Sequence, residues 1–165
     1  MSGPFPARED AADHEGRHMA EDTAGIARKA LEYLNAHDLD AYAELFADDC
    51  EITDTATGEI FHGREGARKN MEGWFTPFPD AKIETINLIA GDDWAAIEAV
   101  GRGTQTGPMT GPGGEVPATG KGLTLAFCST LQISNGKIVG GRDYYNLADL
   151  MQQLGLMPET AAATA

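Results

Sequence analysis

Leu123-Thr-Leu-Ala-Phe-Cys-Ser-Thr-Leu-Gln-Ile-Ser134, then Asn135-Gly136, then Lys137-Ile-Val-Gly-Gly-Arg-Asp-Tyr-Tyr145: two strand-like runs are joined by a single dipeptide. Asn-Gly is the strongest short signal for a hairpin, because both residues accept the positive φ of a type I′ turn. A two-residue turn fixes the register of the arms. Ser134 then opposes Lys137 and Ile133 opposes Ile138, and strict alternation carries Cys128 opposite Asp143. Without a bulge, Cys128, Thr130, Gly141, Asp143 and Tyr145 share one face, whose small and polar residues suit a cavity wall. Ser129, Leu131, Ile133, Ile138, Arg142 and Tyr144 share the other, which reads as a subunit interface.

Working outward, the period-two pattern extends back to Asp80. Lys82 to Ala90 and Trp94 to Gly103 read as strands, with Asp92-Asp93 as their turn. Thr106 to Gly120 is a long Gly/Pro/Thr-rich loop, of the kind that forms lids or loose tips. Before Asp80 the spacing is helical. Ile26, Ala27, Ala30, Leu31 and Leu34 form a stripe beginning near Thr23. Asp38 caps a short helix that buries Leu39, Tyr42, Leu45 and Phe46. A short strand spans Glu51 to Asp54, and a third helix, Arg64 to Phe75, ends at Pro77 and Pro79. The last strand leads into a helix from Leu147 to Leu154, stopped by Gly155. Helices first and hairpins after predict an α+β domain, its antiparallel sheet curved around the helices and enclosing a cone-like pocket.

The 165 residues suffice for one core. Residues 1–21 lack periodicity and read as a disordered leader, with Met19 a second candidate start. Residues 22–158 form the single domain, and 159–165 a frayed tail. No apolar run approaches the roughly 20 residues of a membrane span, and no signal-peptide pattern opens the chain, so a cytoplasmic protein is expected. A net charge of −14 argues against nucleic acid and anionic membranes as partners. Arg64, Arg68 and Lys69 alternate with Glu65 and Glu72 as a solvated helix face does. Cys50 and Cys128, with His14, His18, His37 and His62, match no metal-ligand spacing, so no metal is expected.

Asp143 carries the most chemical weight. In an apolar recess it is a carboxylate whose pKa desolvation raises, fit for general acid–base work; at a sheet edge it pairs with Arg102 instead. Asp54 is either its partner in the cavity or the turn former of Asp54-Thr-Ala-Thr-Gly58. His62 is a proton carrier or a capping residue, and Cys128 a nucleophile or a small hydrophobe. Trp74, Phe75, Phe78, Trp94, Met71 and Phe127 shape the pocket or belong to plain core.

Gly136-Lys-Ile-Val-Gly-Gly-Arg-Asp-Tyr-Tyr-Asn-Leu147 with Gln153-Leu-Gly-Leu156 resembles the C-terminal end of the nuclear transport factor 2-like superfamily. Its SnoaL-like polyketide cyclase and limonene-epoxide-hydrolase-like branch ends in this way. Leu45-Phe-Ala-Asp-Asp-Cys50, Phe61-His-Gly-Arg-Glu-Gly66 and Phe78-Pro-Asp80 are similar to the same group, over about Ala24 to Pro158. The resemblance implies a cone-shaped α+β barrel, a homodimer through the outer sheet face, and an enzyme without cofactor acting on a small hydrophobic oxygenated molecule. Isomerase, cyclase (ester cyclases included) and hydrolase are the implied reaction types. Asp143, in Arg142-Asp-Tyr-Tyr-Asn146, falls where the epoxide hydrolases carry an acid. Their other two polar pairs fall on Ala99 and Gly101 and on Ile52 and Asp54, so their water-positioning network is missing. Between Lys121 and Arg142 there is no Asp or Glu, where isomerase- and cyclase-like members tend to carry one.

The reading is therefore acid–base catalysis with Asp143 and Asp54 catalytic. Tyr145 and Thr130 would donate hydrogen bonds to substrate, and Cys128, His62, Trp74 and Phe78 would line its site. The competing readings are a non-catalytic binding module in the same pocket and a dimerising interaction domain.

Overall fold

Asn135 and Gly136 take φ values of 50° and 75°, so the dipeptide turns as a type I′ hairpin. This chain is described by a computed structural model covering residues 11–111 and 113–157. Four helices occur among these residues: α1 (Ala11–Ala36), α2 (Leu39–Ala43), α3 (Gly63–Phe75) and α4 (Leu147–Gln153). The strands are β1 (Phe46–Asp54), β2 (Ile60–His62), β3 (Lys82–Ala90), β4 (Trp94–Thr104), β5 (Met109–Gly111), β6 (Gly114–Val116), β7 (Gly122–Ser134) and β8 (Lys137–Tyr145).

Six strands form one sheet in the order β2-β1-β8-β7-β4-β3, and β5 and β6 form a small separate hairpin. Neighbours are antiparallel except β1 and β8, which run parallel, so the sheet is mixed. The sheet is curved but not closed, and the fold is α+β as the sequence predicts. Its inner face and the helices bury one main cluster that includes Ala27, Leu34, Tyr42, Phe46, Ile52, Ala67, Ile97 and Ile138. A second cluster joins Phe78, Leu123 and Leu125 to Leu150 and Leu154 of α4. No helix among the described residues is long and apolar enough to cross a membrane.

Asp38 caps α2 as expected, its side chain accepting from the Ala41 amide. Helix α1 instead starts at Ala11, well before Thr23. Alanine-rich helix propensity carries it past the apolar stripe, which corrects the disordered reading for 11–21. The rest of the expected leader, 1–10, and the tail from 158 lie outside the described residues. The loop between β4 and β7 is also more ordered than its composition suggests. Gln105 is fully buried. Its amide donates to the Gly107 and Pro117 carbonyls and accepts from the amide and hydroxyl of Thr119.

One departure decides the site. Ile133 opposes Ile138 as expected, but Gln132 then opposes Gly140, leaving Val139 as a bulge in β8. Beyond it every pair shifts by one: Ser129 opposes Asp143 and Cys128 opposes Tyr144. β1 breaks register with β8 at the same place, between Phe46 and Glu51. Gly140 and Gly141 give the backbone room for the distortion. The bulge reverses the parity read from the turn. Ser129 and Leu131 face inward with Asp143, while Cys128 and Thr130 face outward. Leu131, Ile133 and Ile138 are consequently buried core and not an interface.

Candidate active site

Helices α1–α3 lie over the inner sheet face and leave a cavity of about 140 Å³ between them. Leu31, Leu34, Met71, Trp74, Phe75, Phe78, Ile97, Leu125 and Phe127 form much of its apolar wall. Its polar lining residues are Asp143, Ser129, Tyr42 and Tyr145, with Lys82 and Arg102. β8 supplies Asp143, β7 supplies Ser129, and α3 supplies Asn70 from behind.

Asp143 is held at both oxygens. Ser129 Oγ donates to Oδ1 at 2.5 Å, and Asn70 Nδ2 donates to Oδ2 at 3.1 Å. Both bonds stabilise the ionised carboxylate. Burial acts the other way and is the largest influence, with the nearby Asp54 carboxylate adding to it. The balance lifts the Asp143 pKa above the ordinary carboxylate range. Asp143 thus avoids Arg102, which pairs with Glu84 at 2.6 Å on the exposed face.

Asp54 and Asp143 are register partners across β1 and β8. Asp54 is nonetheless occupied locally, with Oδ1 accepting from the Ala56 and Thr57 amides and shaping the turn. Its Oδ2 accepts from the Tyr145 hydroxyl at 2.9 Å. Tyr145 lines the cavity, and its hydroxyl proton is committed to Asp54. Burial, then the bond to Asp54 and its charge, push the Tyr145 pKa up. Trp74 meets the Tyr145 ring edge-on, centroids 5.2 Å apart, and fixes its angle.

The other sequence candidates divide clearly. Trp74 and Phe78 line the cavity, together with Phe75, Met71 and Phe127. Cys128 and Thr130 do not, because the bulge turns them outward. His62 precedes α3 without capping it through its side chain. That side chain is 72% exposed and 3.9 Å from Glu51, away from the cavity. Trp94 is 40% exposed and also outside. Arg64 pairs with Glu44 and Asp48, and Arg68 with Asp40 and Glu72, as a solvated face would. Among the described residues no group of three or more His, Cys, Asp and Glu could hold a metal ion.

The sequence pattern does not mark Asn70 and Ser129 as site residues. Asn70 had a signal: it sits three residues after the buried Ala67, a polar side chain on the apolar side of α3. Ser129 had a weaker one, the Gly140-Gly141 doublet that marks the bulge.

Comparison with known proteins agrees with this architecture. The profile of the SnoaL-like polyketide cyclases matches residues 24–154. No curated protein sequence matches the chain. A proposed SnoaL-like polyketide cyclase from Jannaschia sp. CCS1 superposes with a TM-score of 0.74 at 17% identity, over 96% of this chain and 100% of that one. AclR from Streptomyces galilaeus, a proposed hydroxylase, gives 0.71 at 24% identity over 85% and 99%. IdmH from Streptomyces antibioticus, a proposed polyketide cyclase, gives 0.66 at 24% identity over 81% and 98%. At such identities the superpositions speak for the fold alone. The family rests on the profile, which spans every residue lining the cavity: this chain belongs to the SnoaL-like polyketide cyclase family.

Proposed function

We propose that the protein is a small-molecule isomerase or cyclase in which Asp143 moves a proton on an apolar, oxygenated substrate. The observation that carries this is a carboxylate placed in an apolar cavity, oriented at both oxygens by Ser129 and Asn70. An acid held that way is a positioned base. Its lone pairs are fixed in direction, and its raised pKa brings its strength nearer to working pH.

In the proposed reaction ionised Asp143 removes a proton from a carbon next to a carbonyl, and the electron pair moves onto the carbonyl oxygen. The enolate then either takes the proton back at another carbon, which is an isomerisation, or attacks a second carbonyl of the same molecule. In that intramolecular aldol closure the proton returns to the new alkoxide. The apolar walls exclude water, which would otherwise quench the enolate and weaken each electrostatic contact. Asp54 serves through Tyr145, whose hydroxyl it holds. We also propose that two copies pair through the outer sheet face, where Cys128 and Thr130 lie and Tyr144 is 42% exposed. Light scattering tests this.

For the chemistry the test is exchange of the α-protons of 2-tetralone, a compact apolar ketone, in D2O followed by NMR. Wild-type protein accelerates exchange, and Asp143→Asn abolishes the acceleration while affinity for the ketone changes little. Equal exchange with both proteins refutes the proposal. Binding without acceleration by wild-type protein favours a module that only carries a ligand.

A further inference from the structure

Catalysis of this kind needs a donor for the oxygen on which charge develops, and the residues expected to supply one are committed elsewhere. Thr130 faces away from the cavity. Tyr145 gives its proton to Asp54, and Ser129 and Asn70 give theirs to Asp143. One cavity-lining hydroxyl is left. Tyr42, on α2, is 7% exposed, and its ring packs against Phe46 with centroids 5.0 Å apart. Among the described residues no group hydrogen-bonds its hydroxyl oxygen, and that oxygen is not sealed inside protein either. Buried tyrosine hydroxyls ordinarily find a partner. The space this residue borders is the cavity that also holds Asp143.

We infer that the Tyr42 hydroxyl is a further catalytic group, donating a hydrogen bond to the substrate carbonyl oxygen while Asp143 takes the proton from the adjacent carbon. The inference rests on the proton-transfer reading above and extends it to the group that receives the charge. Burial and the neighbouring Asp143 carboxylate both push the Tyr42 pKa up, so the phenol stays protonated and able to donate at any working pH. Its place across the chain from Asp143, on a helix and not on the sheet, defines the substrate. That substrate carries a carbonyl and an acidic C–H on neighbouring atoms, with the oxygen toward α2 and the C–H toward β8.

Tyr42→Phe keeps the ring and its contact with Phe46 and removes only the oxygen. The test compares the affinities of 2-tetralone and of tetralin, the same skeleton without the carbonyl, in wild-type and Tyr42→Phe protein. Wild-type protein prefers the ketone. The variant loses that preference by about 3- to 10-fold, the size of one neutral hydrogen bond, and binds tetralin unchanged. α-Proton exchange falls further, about a hundredfold, because the bond strengthens as charge builds. An unaltered preference in Tyr42→Phe overturns the inference, as does a wild-type protein that binds ketone and hydrocarbon equally. If exchange depends on Asp143 but not on Tyr42, this inference fails alone. If wild-type protein shows no exchange, the reaction proposal fails, and the affinity comparison still decides whether Tyr42 contacts the oxygen.

Discussion

Replacing Ser129 by alanine removes the shorter of the two bonds to Asp143, the 2.5 Å contact from Oγ to Oδ1. A hydrogen bond to a charged group contributes about 1.5–3 kcal/mol, here chiefly to the ionised form, whose oxygens are the stronger acceptors. Tenfold in an equilibrium costs about 1.4 kcal/mol. At a pH where Asp143 is partly ionised, Ser129→Ala therefore lowers the ratio of ionised to protonated carboxyl roughly ten- to a hundredfold. The assay is a pH titration of the aspartate 13Cγ resonances, the Asp143 signal being identified by its loss in Asp143→Asn. Its transition lies above the ordinary aspartate range in wild-type protein and moves higher still in Ser129→Ala. Ser129→Thr, which keeps the hydroxyl, restores it. A Ser129→Ala transition at the wild-type pH or below refutes the claim that Ser129 supports the charge.

Other outcomes follow from the same geometry. Because burial raises the native pKa of Asp143, the unfolded chain ionises this group more easily than the folded one. The stability it contributes is thus present below about pH 4, the unfolded aspartate range, and is lost as pH rises through the raised native value. Asp143→Asn removes that loss, so urea melts show its advantage over wild type growing with pH across that interval; a constant difference contradicts this. Gln105→Ala removes four hydrogen bonds that one buried side chain makes to a largely exposed loop and costs about 2–4 kcal/mol by chemical denaturation. A cost under about 0.5 kcal/mol would mean that water replaces the amide. Tyr145→Phe keeps the ring contact with Trp74 and loses only the bond to Asp54, for about 1–2 kcal/mol in the same assay. A neutral result shows the bond to be idle.

The sequence made the architecture readable because its punctuation was local. Asn135-Gly136, Asp38, Pro77 and Gly155 each act through their own backbone preferences, and the structure places turns, caps and stops there. The site was only partly readable, because Asp143's surroundings depend on one unpaired residue. Counting from the turn gives Cys128 as its neighbour across the hairpin, and inserting Val139 as a bulge gives Ser129. Nothing in the alternation of the two strands marks that insertion, and only the Gly140-Gly141 doublet hints at it. Asn70 reaches Asp143 from α3, a distance of 73 residues along the chain. Tertiary folding alone brings them together. The helix pattern puts Tyr42 on the buried side, where the structure has it; that its oxygen is left without a protein partner is a property of the cavity, invisible in that pattern.

The most direct measurement sets the acid limb of kcat/KM for 2-tetralone exchange beside the 13Cγ titration of Asp143 in the same protein. If ionised Asp143 is the base, the two midpoints coincide and move together in Ser129→Ala. A rate that stays constant while Asp143 titrates, or an acid limb left in place by Ser129→Ala, contradicts the account.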